Sequence, residues 1–346
     1  MAISIYPADL VADRSLIIQT LRQCLTPSSD ACRFDWLYRT NPHGQAQAWL
    51  ARDMSSGEIV GMAAAFPRRV RIGKCEKIAW VLGDFCIAER YRSLGPALQL
   101  QRACLAAFNT DSAAFCYDFP STSMMAVYRR LGITDFHRML RFAKPLRIDR
   151  KVTTKIKAPL VARELTAVGN LLLGLWDHFH ETDATLTIAI HEGPCDAEFS
   201  RLAQQVNDRL GVCVQRSADY LNWRYLANPL RRYELLTARR HSELLAYLVL
   251  TDDGEDAVVA DLFGVEDPAV ISRLIEAVVG LLRGSGLMTL SVPLLESHPW
   301  IPLLRRLGFR AREACPVVIS VPSHATAQHI RPEGLRWYFM HGDRDS

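Results

Sequence analysis

The sequence lacks the patterns that mark metal sites and disulfide frameworks. Its nine cysteines and ten histidines form no C-x-x-C pair, no H-E-x-x-H motif and no Cys/His array with ligand spacing. We therefore expect neither a structural nor a catalytic metal. The cysteine number is odd, and most cysteines lie inside apolar runs, as Cys86 does in GDFCIA and Cys104 in QRACLAAF. This usage is typical of small buried side chains in a reducing compartment.

Long apolar runs and a strong charge of either sign are missing as well, and we expect no leader. The most apolar stretch, AVGNLLLGLW, is far shorter than the roughly 20 residues that span a bilayer. The first residues, MAISIYPADL, have no basic region followed by an apolar core. A net charge of +4 is too small for a chain of this length to indicate a nucleic-acid partner. We expect a cytoplasmic protein with no membrane span and no nucleic-acid partner.

The chain is long enough for two domains, and its pattern predicts an α/β fold. It has 346 residues, of which 49% are hydrophobic, so each half can bury its own core. Strands alternate with amphipathic helices, and neighbouring strands follow each other early in each half, which predicts a mixed sheet covered by helices. We place the domains at 1–148 and 185–322. A connector with an apolar helix fills 149–184, and a tail follows at 323–346.

Two short patterns recur in the same order in the two halves. FDWLYRTNP, with Trp36 and Tyr38, matches LNWRYLANP, with Trp223 and Tyr225, and VYRRLGI later in the first half matches LLRRLGF in the second. Self-similarity of this kind predicts tandem copies of one fold. The paired W-x-Y-x-x-N-P helices either line a binding groove or supply core tryptophans and a helix stop, and the second interpretation is the simpler.

One loop has the features of an anion-binding site. RSLGPA, from Arg92 to Ala97, fits the pattern R-x-x-G-x-A between a predicted strand and a predicted helix whose first position we assign to Pro96. The first turn of a helix has unpaired backbone N–H groups and a favourable dipole, so it attracts anions. Gly95 lets a phosphate approach the backbone, and Arg90 and Arg92 add positive charge. Proline has no N–H, so this loop has one donor fewer than it would otherwise offer.

This loop, followed by the helix STSMMAVYRRLGI with its Y-x-x-L-G ending, resembles the GNAT (GCN5-related N-acetyltransferase) superfamily over most of residues 1–146. The resemblance implies two tandem GNAT folds and acetyl-CoA or another acyl-CoA as co-substrate, without a metal. The loop is then implied to bind the pyrophosphate, and the amides of the preceding strand to contact the pantetheine arm and the thioester carbonyl. The cofactor-binding residues implied in this way are Phe85, Cys86, Ile87, Arg90, Arg92, Ser93, Leu94, Gly95 and Ala97.

The resemblance also implies catalytic residues. Tyr128 occupies the position of a tyrosine that donates a proton to the departing CoA thiolate, and its alternative is ordinary packing beneath the sheet. Asp84, in the strand before the loop, is the first candidate for the general base, and Asp118, in the neighbouring strand, is the second. The alternative for Asp84 is a turn-capping or salt-bridging acid.

The second half lacks these features. The corresponding loop reads VEDPAV, where Glu266 and Asp267 would repel a pyrophosphate, and Leu304 stands at the position of Tyr128. We therefore expect a degenerate copy that is structural or forms part of the acceptor site. The tail, LRWYFMHGDRDS, either covers a polar acceptor or frays.

Three functions fit these observations. The first is an N-acyltransferase that transfers an acyl group to a primary amine of a small molecule or amino sugar by direct attack in a ternary complex. The second is a FemAB-like aminoacyl transferase, against which the intact loop argues, and the third is a non-catalytic acyl-CoA-binding sensor or scaffold. No motif reports the acyl-chain length, the acceptor or the oligomeric state.

Overall fold

The computed structural model describes residues 2–109, 113–147, 185–207, 210–322 and 335–344. The strands are β1 (Ile3–Pro7), β2 (Gln47–Asp53), β3 (Ile59–Ile72), β4 (Cys75–Ile87), β5 (Cys116–Asp118), β6 (His137–Pro145), β7 (Leu186–Ile190), β8 (Val212–Val214), β9 (Glu234–Arg240), β10 (Glu243–Asp253), β11 (Asp256–Gly264), β12 (Thr289–Leu295), β13 (Arg310–Ser320) and β14 (Trp337–Tyr338). The α-helices are α1 (Arg14–Cys24), α2 (Ala31–Phe34), α3 (Leu94–Ala106), α4 (Thr122–Arg130), α5 (Ala197–Asn207), α6 (Ala218–Leu221), α7 (Pro268–Gly284) and α8 (Ile301–Arg306). The predicted connector helix lies outside the described residues.

Helix starts follow the sequence signals. The Ser121 hydroxyl accepts the Met124 N–H at the start of α4, and the Asp267 carboxylate accepts the Ala269 N–H at the start of α7. Both helices bury one apolar face. Within the described residues, no helix is both long and apolar enough to cross a membrane, and no group of three or more His, Cys, Asp or Glu side chains could hold a metal ion.

All the strands of the described residues belong to one 14-stranded mixed sheet. Along its main path the order is β1-β2-β3-β4-β5-β13-β6-β12-β11-β10-β9-β7, and β8 pairs with β3 and β14. Each half contains an antiparallel run of strands that ends in one parallel pair, β4 with β5 and β11 with β12. The predicted mixed α/β architecture is therefore confirmed. The short strands β8 and β14 were not predicted.

The two halves exchange their last strands. β13 of the second half pairs with β5 of the first, whereas β6 of the first half pairs with β12 of the second, and the exchanged strands pair with each other. Each exchanged strand covers an edge that would otherwise expose unpaired backbone groups. The exchange joins both halves into a single sheet, so the predicted boundaries do not separate two independent sheets.

The repeated W-x-Y-x-x-N-P segments meet at the centre of the molecule. Each forms a π-helical turn, Asp35–Arg39 in the first half and Asn222–Leu226 in the second. The indole N–H of Trp36 donates to the carbonyl of Trp223, and that of Trp223 donates to the carbonyl of Trp36, both at 2.9 Å. The two buried rings stack with centroids 5.2 Å apart. This reciprocal contact fits core tryptophans and supports tandem copies of one fold.

Candidate active site

A cavity opens where β4 and β5 separate. These parallel strands pair only at Trp80 with Cys116 and Val81 with Tyr117, after which β4 continues to Ile87. The cavity between them has a volume of about 630 Å³. The predicted cofactor-binding residues that line it are Phe85, Cys86, Ile87, Arg92, Ser93, Leu94 and Ala97. Both candidate bases, Asp84 and Asp118, also line it. The geometry therefore brings most of the predicted site residues together, although their roles stay predictions.

A β-bulge shapes the β4 wall of the cavity. Ala64 lies opposite Gly83 and Met62 opposite Cys86, so two residues of β4 face one residue of β3. The first of the two, Asp84, has a φ of 47°, which a residue other than glycine seldom adopts. Bulges of this kind bend a strand and redirect its neighbouring groups. The bulge thus includes Phe85 and directly precedes Cys86 and Ile87, the three residues whose amides are predicted to contact the pantetheine arm and the thioester carbonyl.

Asp84 is held by buried partners. Arg33 donates to both of its carboxylate oxygens, at 2.7 and 2.6 Å, and the Tyr38 hydroxyl donates to one of them at 2.6 Å. In the second half, Asp261 accepts from buried Arg216 at 3.0 and 3.1 Å. Because the acids at the corresponding places of both halves are bonded to arginine, the salt-bridging alternative for Asp84 gains support. Arg33 carried no signal in the sequence.

Asp118 lies at the end of β5 with Tyr128 behind it. The Tyr128 hydroxyl donates to Asp118 Oδ2 at 2.7 Å, and Gln101 Nε2 donates to the Tyr128 oxygen at 3.1 Å. Burial, followed by the negative charge of Asp118, raises the pKa of Tyr128 well above its usual value, so the phenol stays protonated. Tyr128 is fully buried, and it is Asp118 and Gln101 that line the cavity. Gln101 was missed, although it follows Ala97 by one helical turn.

The RSLGPA loop forms the start of α3. The helix begins at Leu94, with Ser93 as its extended N-cap, so Pro96 is the third helical residue and not the first as predicted. Helix geometry leaves the N–H groups of Leu94 and Gly95 without intrahelical acceptors. A Cβ added to Gly95 meets no atom within 4 Å, so the space in front of this turn is open.

The two loop arginines differ in position. The Arg92 guanidinium lines the cavity, and its Nε donates to the Ile87 carbonyl at 3.2 Å. Arg90 forms an ion pair with Glu58 and lies over the ring of Tyr91, outside the cavity lining. Arg92 is thus the better placed of the two to meet a ligand in the cavity.

The corresponding helix start in the second half has its own acid. The Asp267 carboxylate accepts the Ala269 N–H at 2.9 Å, and Glu266 pairs with Arg336 at 3.6 Å. Leu304, at the position of Tyr128, is fully buried. The described residues of this loop therefore place negative charge where the first half has open amides.

Solved structures with the same fold include two GCN5-related N-acetyltransferases. The one from Anabaena variabilis matches with a TM-score of 0.68 and 13% identity, over 94% of this chain and 74% of that one. The one from Kribbella flavida matches with a TM-score of 0.60 and 13% identity, over 92% of this chain and 71% of that one. No family model matches the chain, and no curated protein matches it in sequence. The chain has the fold of the GCN5-related N-acetyltransferases.

Proposed function

We propose that the chain is an acyl-CoA-dependent N-acyltransferase whose first half binds the donor, with acetyl-CoA as the first candidate. The observation that carries the proposal is the gap between β4 and β5, lined on one side by the RSLGPA loop and on the other by Asp118. We further propose that 1–148 and 185–322 are tandem copies and that the second copy is structural or completes the acceptor site. The nine cysteines, all free, support a cytoplasmic location.

The donor is held by backbone and by one cation. The amides of Leu94 and Gly95 and the guanidinium of Arg92 would bind the diphosphate at the helix start. The amides of residues 85–87, at and directly after the bulge, would contact the pantetheine arm and the thioester carbonyl. An N–H aimed at that oxygen stabilises the negative charge that develops when the amine attacks.

The proton acceptor that the contacts favour is Asp118. The amine attacks the thioester carbon, the C–S bond breaks, one amine proton passes to the base, and the protonated base or a water molecule gives a proton to the CoA thiolate. Both acids line the cavity, but Asp84 is buried and both of its oxygens already accept from Arg33, whereas Asp118 is half-buried and accepts from Tyr128. Tyr128 would position this carboxylate, and direct donation to the sulfur requires its bond to Asp118 to break.

Calorimetric titration with acetyl-CoA tests donor binding. We expect Arg92→Glu to weaken binding at least tenfold, since a charge-assisted hydrogen bond of about 1.5–3 kcal/mol is replaced by repulsion. Arg310→Glu, at an exposed site in the second half, is the matched control and should bind like wild type. If the wild-type protein does not bind acetyl-CoA, the proposal is wrong and the aminoacyl-transferase alternative is favoured.

CoA release in the presence of a panel of amines separates an enzyme from a sensor. Tyr128 is fully buried and does not line the cavity, and this observation favours the alternative of a non-catalytic sensor. Binding without CoA release for any amine would support the sensor, and release that depends on the amine would support the transferase.

A further inference from the structure

The segment 335–344 reaches the cavity of the first half. It starts along the second half, where β14 pairs with β8, and it ends with Arg344 in the cavity wall. The Arg344 guanidinium lies 5.5 Å from the ring centroid of Phe119, the residue after Asp118. A side chain that is distant in sequence thus stands beside the proposed base.

Buried ionic contacts fix this segment in place. Arg216 donates to Asp343 at 2.9 Å, and the Asp343 carboxylate also accepts the Met340 N–H at 2.8 Å. Arg224 donates to the carbonyls of Gly342 and Arg344, at 2.9 and 3.1 Å. Arg216 and Arg224 belong to the second half. That half therefore holds the backbone from which Arg344 extends, and the fraying alternative for the tail does not apply to residues 335–344.

The first half also forms a hydrogen bond to the segment. The Tyr117 hydroxyl in β5 donates to the Asp343 carbonyl at 3.0 Å, one residue before Arg344. Because residues of both halves bond to this segment, the fold determines where the backbone of Arg344 lies.

The cavity lining contains two cations and two carboxylates, and Arg344 has no salt bridge to a carboxylate of the described residues. Arg92 and Arg344 are the cations among the described lining residues, and Arg92 belongs to the loop proposed for the diphosphate. Of the two carboxylates in the lining, Asp84 is paired with Arg33 and Asp118 accepts from Tyr128, and the Arg344 guanidinium packs on the Phe119 ring. A guanidinium held on an aromatic ring presents its N–H fork to a planar or tetrahedral anion.

We propose that Arg344 binds an anionic group of the acceptor, so that the acceptor is a small amine that also carries a carboxylate or a phosphate. This inference rests on the proposed function. The amine would lie at Asp118 and the anion at Arg344. The second half would then contribute to acceptor specificity by holding the segment that delivers this side chain.

Matched pairs of amines test the inference. L-leucine is compared with L-leucinamide, and glucosamine 6-phosphate with glucosamine, by CoA release from acetyl-CoA at varied concentrations of each amine. The variants are Arg344→Gln, Arg344→Lys and the control Arg310→Gln, each checked by thermal melting. The two pairs distinguish a carboxylate from a phosphate as the preferred anion.

We expect the wild type to favour the anionic member of at least one pair by tenfold or more in kcat/KM. Arg344→Gln should abolish that preference through KM of the amine while KM of acetyl-CoA stays unchanged, and Arg344→Lys should keep part of it. Equal use of both members by the wild type, or a preference that survives in Arg344→Gln, would overturn the inference.

If no amine reacts, the same pairs are titrated calorimetrically into the CoA-bound protein, where a missing preference also counts against the inference. Equal turnover of the neutral and anionic amines, with normal acetyl-CoA binding, would overturn the role of Arg344 alone. Failure of acetyl-CoA to bind would instead sink the proposed function.

Discussion

At the scale of single residues, the two acids of the cavity wall differ in their hydrogen-bond partners. Asp84 has a guanidinium on both oxygens and a phenol on one, all of them buried. Asp118 accepts from Tyr128 and borders the open cavity. A carboxylate paired in this way stabilises the fold, and removal of its charge breaks a buried ion pair. The two acids should therefore respond differently to the same substitution.

Replacement of each acid by its amide separates stability from catalysis. We expect Asp84→Asn to lower the free energy of unfolding by about 3–5 kcal/mol, because the buried ion pair with Arg33 is broken, while asparagine tolerates the left-handed backbone. Asp118→Asn should retain stability and lower kcat by roughly 10²–10⁴ through loss of the base. Thermal melting and CoA release measure the two effects. Loss of activity in Asp84→Asn at unchanged stability would restore Asp84 as the base.

The reactivity of Cys24, which lines the cavity, should depend on pH. A hydrogen bond from the Cys86 thiol and then the charge of Arg92 lower the pKa of Cys24 to about 7, while the same bond and burial raise the pKa of Cys86. Since the thiolate is the reactive form, alkylation of Cys24 by iodoacetamide should rise through pH 7 and level off near pH 8, with Cys86 unreactive. Acetyl-CoA should slow this labelling and leave exposed Cys32 unaffected, as read by peptide mass. Levelling only above pH 9 would contradict the prediction.

At the scale of elements, the sequence predicted the features that depend on residues close together in the chain. The strand–loop–helix unit around Gly95 and the apolar faces of the helices follow from turn residues and periodicity. The partner of Asp84 could not be predicted, because Arg33 lies far from it in sequence and buried ion pairs have no local pattern. The bulge in β4 also escaped, since alternation assumes a regular ladder.

Gly95 links helix stability to donor binding. Gly95→Ala should stabilise the fold by about 0.4–1 kcal/mol, since its Cβ meets no atom within 4 Å and its φ is ordinary. The same Cβ would stand between the amides and a phosphate, so we expect acetyl-CoA affinity to fall about tenfold by calorimetry.

Gly280→Ala is the matched control for this prediction. Gly280 lies inside α7 and is equally free of neighbours within 4 Å. It should give a similar gain in melting temperature with unchanged acetyl-CoA affinity. Equal affinity in both variants would show that the phosphate does not approach the backbone at Gly95.

At the scale of the whole molecule, the exchange of β6 and β13 makes the two halves depend on each other. Neither β5 nor β12 has a partner on its outer side without the strand from the other half. The recurring W-x-Y-x-x-N-P pattern indicated duplication, but no sequence pattern reports which copy of a strand pairs with which edge. We therefore expect one cooperative unfolding transition for both halves.

The paired tryptophans measure this dependence. Trp36→Ala and Trp223→Ala should each cost about 3–5 kcal/mol, and the double variant should cost less than their sum by about 0.5–3 kcal/mol, because both singles break the same stacked, reciprocally bonded pair. Trp49→Ala is the control, since Trp49 is buried in a separate cluster of the first half and should add to Trp223→Ala without coupling. Urea unfolding of the five variants gives the coupling energy. Additive costs for Trp36 and Trp223, or two separate transitions, would show that the halves fold independently and that the shared sheet contributes little to holding them together.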